Sequence, residues 1–311
     1  MPKLPTRMGR SPKTEIAAAL LALVMCGCGG WDDSVVRVTT REYEHPQWGS
    51  VIHVANDEIE IIIAPERGGR LMHYSRLGES NLLWTARDIG TGLGDVWGWK
   101  NWGGEKTWLW PQGNWTTGGW PPPHDVEQAA YTHINDMPRN LDHNRNMDFE
   151  FKSPNGMIRR GFWFPNKGTR VHVRANILDH EIPFSAWSVT QIPARGKVEL
   201  ERTAPHRALL GMPDEEFSLV MPGENTIDLT PQSGGVKGMF DADGFRVSTA
   251  QGTLVVRQSF IDSRLPYDGI YRAQVYISPD VEGDAYVELE FAAPLPTEPG
   301  FSSQWVTLSL E

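Results

Sequence analysis

Residues 97–120 form the most unusual segment of the chain, because they contain seven of its thirteen tryptophans. Glycine pairs interrupt the segment and a proline run follows at 121–123, which predicts a loop rather than a strand. Pyranose rings stack their C–H faces on flat aromatic groups, and their hydroxyls bond to planar amide, carboxylate and cationic groups. The segment offers both kinds of group in Trp102, Glu105, Lys106, Trp108, Trp110 and Gln112. These residues are candidates to bind carbohydrate, although the tryptophans could instead pack to close one end of a β-domain.

Glu288 and Glu290 form a second candidate group near the end of the sequence. They alternate with the apolar residues Val287, Leu289 and Phe291. Residues two apart in a strand lie on the same face, so the two carboxylates are predicted to share one surface. If that surface is a cleft, mutual repulsion should raise one of the two pKa values towards neutrality. The alternative is an ordinary solvated strand face.

Arg70 is a third candidate, because it directly follows Gly68-Gly69, where the backbone can approach other groups closely. Its guanidinium is a fork of donors that could bind a pair of hydroxyls or a carboxylate. The alternative is an ion pair at the end of a strand.

Alternating apolar and polar residues along much of the chain are typical of half-buried β-strands. The clearest case is residues 171–177, where apolar residues alternate with His172, Arg174 and Asn176. Further strands are predicted at residues 58–64 and at about 147–152, 157–164, 185–192, 197–203, 244–249, 253–260, 270–277, 285–292 and 304–310. Only a short helical turn near 127–131 is indicated, and residues 132–147 are predicted to be a polar excursion. The pattern therefore predicts an all-β sandwich or barrel.

The first 27 residues have the layout of a secretory signal, with four basic residues ahead of an apolar run from Ile16 to Met25. The run is too short to span a bilayer. It leads into Gly27-Cys28, which resembles the lipobox of bacterial lipoproteins, where the cysteine after a small residue is acylated. Cys26 is the alternative acceptor. We therefore expect an exported protein anchored by lipid at Cys28 to a bacterial membrane, with a tether at 28–46 and one folded domain at 47–311.

Composition excludes several classes of function. Both cysteines lie at the predicted processing junction, so disulfides, thiol nucleophiles and cysteine metal sites are excluded from the folded part. The first 27 residues carry a net charge of +3, and the overall charge of −10 leaves −13 for the remainder, which disfavours binding to nucleic acid. The histidines lack metal-ligand spacing and no phosphate or dinucleotide fingerprint occurs. The sequence predicts no metal and no cofactor, and it does not indicate an oligomeric state.

Four motifs occur in an order and spacing that match a known group of proteins. They are Arg67-Gly68-Gly69-Arg70, Gly103 to Trp108 with Pro111-Gln112, Trp187 to Gln191, and Val287 to Phe291 followed by Pro294, Pro299-Gly300 and Trp305. In these motifs the chain resembles the galactose-mutarotase-like (aldose 1-epimerase-like) proteins, and within them an uncharacterised family of bacterial exported lipoproteins. The resemblance covers most of residues 47–310. It implies a large antiparallel β supersandwich with a sugar cleft across one concave sheet.

The resemblance also implies roles for particular residues. In aldose 1-epimerases a glutamate near the C-terminus removes the anomeric hydroxyl proton while a histidine donates to the ring oxygen. Glu288 and Glu290 fall where that glutamate would lie, but the central motif from Trp187 to Gln191 contains no histidine. Lys106 is then the candidate acid, because a cation in an indole-lined pocket could have a lowered pKa; the alternative is a surface lysine. Trp187 and Gln191 of the central motif are candidates to bind the sugar, but Gln191 could only bond a hydroxyl and could not transfer a proton at neutral pH.

Three functions stay open from the sequence. The first is an aldose 1-epimerase-like enzyme acting outside the cytoplasm, and the paired glutamates favour it. The second is a non-catalytic carbohydrate-binding lipoprotein, favoured by the missing histidine. Polysaccharide cleavage is a third, since related supersandwich domains accompany lyases. For either of the first two, we expect Arg70, Lys106, Gln191, Glu288 and Glu290 to converge on one face.

Overall fold

The computed structural model describes residues 38–87, 99–135, 147–178, 182, 184–201, 225–231, 235–240, 242–261, 273–281, 283–295 and 301–311. They belong to one compact unit that runs from Val36 to Glu311. The predicted signal segment, Cys28, its alternative Cys26 and the first part of the predicted tether lie outside the described residues. Within the described ranges, no helix is long and apolar enough to cross a membrane.

The described residues are organised almost entirely as β-strands. In chain order these are β1 (Thr39–His45), β2 (Gly49–Ala55), β3 (Ile59–Ala64), β4 (Arg70–Arg76), β5 (Glu105–Trp110), β6 (Thr132–Asn135), β7 (Met147–Lys152), β8 (Ile158–Phe164), β9 (Val171–Ile177), β10 (Ser185–Pro193), β11 (Lys197–Glu201), β12 (Thr226–Asp228), β13 (Val236–Phe240), β14 (Gly244–Thr249), β15 (Gly252–Ile261), β16 (Ala273–Ile277), β17 (Tyr286–Ala292) and β18 (Ser302–Leu310). One short helix, α1 (His124–Glu127), and two 3₁₀ turns, Pro65–Arg67 and Gln112–Asn114, complete the described elements.

The strands form two antiparallel sheets of nine strands each. The first sheet has the order β1-β2-β3-β4-β5-β10-β17-β16-β13, and the second has the order β12-β11-β14-β15-β18-β9-β8-β7-β6. The sheets pack face to face around an apolar core. Phe291 of β17 contacts Phe245 of β14 in the second sheet, with ring centroids 4.9 Å apart. Fully burying one such side chain stabilises the fold by about 1.5–3 kcal/mol.

Most strands that were predicted from the period of two are confirmed. In β9, Val171, Val173 and Ile177 are buried while Arg174 and His172 are half-buried, as the alternation requires. The short helix at α1 lies just ahead of the predicted helical turn. The predicted all-β sandwich is correct.

The prediction that residues 97–120 form one loop was wrong for its middle part. Residues 105–110 are strand β5, which pairs with β10 along its whole length and with β4 at Leu71↔Glu105. This strand shows no apolar alternation because it is buried on both faces, and both of its faces carry polar groups. The chain enters it through Gly104, whose φ of +78° suits glycine and where a Cβ would collide with the Leu71 carbonyl oxygen.

The folded domain also begins earlier than the predicted boundary at Gln47. Strand β1, which was assigned to the tether, pairs with β2 from Thr39↔Ala55 to His45↔Gly49. It is an edge strand whose residues are mostly exposed. Its polar composition therefore resembles that of a linker, and no buried face indicates a strand.

Candidate functional site

The register of three neighbouring strands brings the predicted polar residues together on one face of the first sheet. Lys106 of β5 lies opposite Val189 of β10, which lies opposite Glu290 of β17. In the same way, Gln191 of β10 lies opposite Glu288 of β17. Since Phe291 faces the second sheet, alternation along β17 directs Glu288 and Glu290 away from it. We refer to this surface as the outer face of the first sheet.

Glu290 is held by two partners on this face. The Lys237 ammonium of β13 lies 3.0 and 2.9 Å from its two carboxylate oxygens, and the Trp187 indole N–H donates to it at 2.9 Å. Lys237 also lies 4.9 Å from the centroid of the Trp187 ring. The Glu290 side chain is fully buried, whereas a quarter of the Lys237 side chain is exposed. Glu290 is therefore an anchored carboxylate with its charge partner already in place.

Glu288 has a different environment although it lies only two residues away. Its carboxylate accepts a hydrogen bond of 2.7 Å from the Gln191 side-chain amide. Burial raises the pKa of Glu288 to about 7, and the charge of Glu290 adds to this rise while Lys106 and Lys237 oppose it. The Gln191 Oε1 atom is buried and has no hydrogen-bond partner among the described residues.

Lys106 is buried beside another carboxylate, that of Glu127 in α1. Its ammonium is 3.4 Å from the Glu127 carboxylate and 3.3 Å from the Asn101 side-chain oxygen. It also lies 4.5 Å from the centroid of the Trp108 ring. Burial lowers the pKa of Lys106, while Glu127 and then Glu288 act in the opposite direction. The prediction of an indole-lined lysine with a lowered pKa agrees with this arrangement, and the surface-lysine alternative does not.

Glu127 connects Lys106 to Arg70. Burial alone would raise the pKa of Glu127, but Arg70 and Lys106 outweigh it and hold the pKa below its usual value. The Arg70 guanidinium lies 2.9 Å from the Glu127 carboxylate, and the Trp108 indole N–H donates to the same carboxylate at 2.5 Å. Two cations and one indole thus stabilise this carboxylate inside the protein.

Arg70 is not available to bind a substrate as the sequence suggested. Its side chain is fully buried, and its nitrogens donate to the backbone carbonyls of Arg67, Gly103 and Glu127 at 2.7, 3.0 and 2.6 Å. With the Glu127 ion pair, these bonds occupy the guanidinium. The alternative interpretation, an ion pair at the start of a strand, is the correct one. Arg70 positions Glu127 and, through it, Lys106.

Glu105 was also predicted to bind carbohydrate and lies on the wrong side of the sheet. It is one residue before Lys106 in β5, so it faces the interior between the two sheets. There it forms a fully buried ion pair with Arg160 of β8, and Ser188 donates to it at 3.3 Å. Glu105 therefore joins the two sheets and does not face the site.

The tryptophans are packed more tightly than a set of exposed platforms. Trp108 is only 2% exposed and makes edge-to-face contacts with Trp187, Trp120 and Trp115, at centroid distances of 5.2, 5.5 and 6.2 Å. For Trp108 the packing alternative is therefore correct, because β5 is an interior strand.

Trp110, Trp102 and Gln112 keep partial exposure. Trp110 contacts Trp187 edge to face at 5.3 Å on the outer face. Trp102 instead stacks under the Arg67 guanidinium, 4.5 Å from the ring centroid, and packs on the small cluster around Trp48. Gln112 begins the 3₁₀ turn after β5. Of these three, only Trp110 joins the group around Glu290.

Sequence reasoning missed three residues that complete the outer face. Lys237 and Glu127 are the charge partners of Glu290 and Lys106. Gln274 of β16 lies opposite Glu290, is 1% exposed, and has no partner for either amide atom in the described part of the chain. The only signal in the sequence was the alternation within β13 and β16, which places Lys237 and Gln274 on faces opposite to apolar residues.

Comparisons with known proteins identify the fold. The sequence matches no protein-family model and no curated protein. A galactose mutarotase-like protein from Clostridium acetobutylicum superposes with a TM-score of 0.52 at 11% identity, covering 90% of this chain and 99% of its own. A candidate aldose 1-epimerase from Escherichia coli K12 superposes with a TM-score of 0.51 at 12% identity, covering 88% of this chain and 99% of its own. A candidate aldose 1-epimerase from Klebsiella pneumoniae superposes with a TM-score of 0.52 at 8% identity, covering 84% of this chain and 79% of its own.

The chain has the galactose-mutarotase-like fold. At these identities the similarity concerns the fold and not the activity, so function has to be argued from the site. Among the described contacts of Glu288 there is no imidazole that could act as the acid of an aldose 1-epimerase. In the described residues, no group of three or more His, Asp or Glu side chains is arranged to hold a metal ion.

Proposed function

We propose that the protein binds carbohydrate at the outer face of the first sheet and acts there as an aldose 1-epimerase-like isomerase. The observation that carries this proposal is Glu288, a buried carboxyl with a pKa near 7 that shares its face with Gln191 and Lys106. A group that titrates near neutral pH can both accept and return a proton. The fold shared with candidate aldose 1-epimerases supports the assignment.

The proposed reaction begins with Glu288 removing the proton of the anomeric hydroxyl. The bond between the anomeric carbon and the ring oxygen breaks, its electron pair goes to the ring oxygen, and Lys106 donates a proton there. The open-chain aldehyde rotates about its bond to the next carbon. The hydroxyl formed from the ring oxygen then attacks the other face of the aldehyde and gives its proton back to Lys106. Glu288 returns its proton to the carbonyl oxygen, which becomes the new anomeric hydroxyl.

Unpaired buried polar atoms around these groups would bind the sugar hydroxyls. They are the Gln191 Oε1, both amide atoms of Gln274, the Asn101 Nδ2, and the indole nitrogens of Trp99 and Trp110. Each unpaired buried polar atom costs about 1–3 kcal/mol. A ligand rich in hydroxyls would recover that cost at several positions at once.

A non-catalytic carbohydrate-binding protein is the second candidate, and one observation favours it. The Lys106 ammonium, whose side chain is 2% exposed, is already bonded to Glu127 and Asn101. A donor held in this way retains its proton, which would leave a site that binds sugar without opening its ring.

We further propose that the protein works outside the cytoplasm, anchored by lipid on Cys28. The support is the basic and apolar segment ahead of Gly27-Cys28. Several acyl chains on one cysteine would hold the protein firmly, since each buried methylene contributes about 0.8 kcal/mol.

Anomer exchange measured by NMR on a panel of neutral aldoses tests the enzymatic proposal, with the full-length protein in detergent. Binding to the same sugars is measured in parallel through tryptophan fluorescence. We expect Glu288→Gln to slow exchange by about 10²–10⁴-fold with binding retained. Glu199→Gln, on an exposed position of β11 in the second sheet, is the matched control and should behave as wild type.

Lys106→Arg separates proton donation from simple charge, because arginine keeps the charge but does not give up its proton. If this variant retains full exchange, Lys106 is not the acid. Wild-type binding without exchange on any aldose would establish the non-catalytic alternative. Absence of both binding and exchange would refute the site.

A further inference from the structure

A cavity lies on the second sheet, at the ends of β8, β9 and β18. Its volume is about 380 Å³, and its walls include Trp163, Lys167, Arg170, His172 and Glu311. This size is in the range of small-molecule sites. None of these residues belongs to the outer face of the first sheet, so the cavity is separate from the site around Glu288.

The cations Lys167 and Arg170 lie in the turn between β8 and β9. Contacts with the first sheet fix this turn in place. The Asn56 side chain donates to the carbonyls of Pro165 and Gly168 at 3.1 and 3.0 Å. The Glu58 carboxylate accepts from the Gly168 N–H at 2.8 Å. Tyr74 donates its hydroxyl to the Thr169 carbonyl at 2.6 Å. Residues on both sides of Lys167 and next to Arg170 are thus held by the rest of the fold, which reduces the ordering cost of binding a ligand.

Among the described residues the two cations of the cavity have no ion-pair partner, and the Glu58 carboxylate at the same turn is bonded to the Gly168 N–H. Lys167 and Arg170 are both exposed. Glu311 also lines the cavity, but its carboxylate is bound by Arg246 at 2.8 Å and lies 3.7 Å from Arg257. The two free cations therefore favour an anionic ligand, although the chain as a whole carries a net charge of −10.

An aromatic strip extends from the cavity across the second sheet. Trp163 contacts the His172 ring at 5.0 Å, and His172 contacts Trp305 at 6.2 Å. Burial, and then the nearby charge of Arg170, lower the pKa of His172, which favours the neutral ring. All three rings are partly exposed. Neutral, half-exposed rings in a row suit ligand rings that present C–H faces.

We propose that this cavity is a second saccharide site, which binds an acidic oligosaccharide. Lys167 and Arg170 hold a carboxylate of one uronic acid unit, the ring of that unit lies against Trp163, and the next unit continues along the strip towards Trp305. The assignment does not depend on catalysis or sugar binding at Glu288.

Calorimetric titration of the full-length protein in detergent with trigalacturonate tests the proposal. The fully methyl-esterified trisaccharide is the matched neutral probe, because it keeps the rings and loses the charge. We expect binding of the acid form that weakens with salt and at least about tenfold weaker binding of the ester. Arg170→Gln and Lys167→Gln should each weaken acid binding by about tenfold or more, as expected for a lost charged hydrogen bond.

Three further variants make the test decisive. Lys197→Gln removes an exposed positive charge from β11, outside the cavity, and should leave affinity unchanged. Trp163→Ala should weaken binding while Trp163→Phe largely preserves it, with thermal melting to confirm that both are folded. Equal binding of acid and ester, equal losses in Lys197→Gln and Arg170→Gln, or no binding of trigalacturonate by the wild type would each overturn the proposal.

Discussion

Replacing Glu288 with glutamine should stabilise the protein at neutral and alkaline pH and leave it nearly unchanged in acid. The folded protein holds the Glu288 pKa at about 7, whereas the ordinary value for glutamate is 4.5. In the folded state the carboxyl therefore retains its proton to higher pH than in the unfolded chain. Its contribution to stability is fully present below pH 4.5 and is lost as the pH rises through about 7.

The size of the effect follows from the pKa difference. One pKa unit corresponds to 1.36 kcal/mol, so wild type should lose about 3 kcal/mol at this group between about pH 4 and pH 8. Glutamine cannot ionise and keeps an acceptor oxygen for the Gln191 amide. The stability difference between Glu288→Gln and wild type should therefore grow by about 3 kcal/mol over that interval.

Urea unfolding followed by tryptophan fluorescence, repeated at several pH values, measures this difference. Subtracting the unfolding free energy of wild type from that of the variant at each pH cancels the contribution of every group whose pKa the substitution does not change. Glu127→Gln is the opposite-sign control: its carboxylate has a lowered pKa, so its loss should become more destabilising as the pH rises through 4.5. A Glu288→Gln difference that stays flat from pH 4 to pH 8 would mean that Glu288 is ionised like an exposed glutamate. The argument for a proton-transfer role would then fail.

Three further predictions test other parts of the reasoning. Cys28→Ala should abolish lipid attachment and membrane partitioning, and an unchanged mass and location of the variant would refute acylation at this residue. Gly104→Ala should destabilise the protein more than Gly118→Ala, because both glycines have positive φ but only the Cβ at 104 would collide with a neighbouring strand. The left-handed strain that both variants share costs about 1–3 kcal/mol. Equal losses of unfolding free energy in the two variants would exclude the collision. Lys237→Met removes a cation that lowers the Glu288 pKa, so the pH midpoint of the Glu288 titration should rise, and a midpoint that falls would contradict the electrostatic picture.

The sequence predicted strands well where one face of the strand is buried and the other is not. β9 is the clearest case, because its alternation of buried and half-buried residues is visible in the residue types themselves. β5 is buried on both faces and β1 is exposed on most of its length. Neither has a period of two, so a pattern search assigns the first to a loop and the second to a tether.

The site could be predicted from the sequence only as far as the pairing of neighbouring strands could be predicted. Glu288, Glu290, Gln191 and Lys106 were expected on one face and lie there, because β5, β10 and β17 are neighbours in the first sheet. Their charge partners were not predictable, because Glu127 reaches the site from a short helix and Lys237 from the edge strand β13. Such pairings depend on three-dimensional packing and leave no local signal in the sequence.

Glu288 and Glu290 are identical side chains on the same face of one strand, and the register of the sheet gives them different chemistry. Lys237 and Trp187 both reach Glu290, so its negative charge is compensated within the protein. The bonded neighbour of Glu288 is the neutral amide of Gln191, so burial acts on Glu288 without a bonded cation to offset it. The fixed charge of Glu290 then raises the Glu288 pKa further. A strand with two carboxylates can therefore provide one carboxylate that is held by a cation and an indole and one group that exchanges protons near neutral pH, which is the division of roles that acid–base chemistry on a sugar requires.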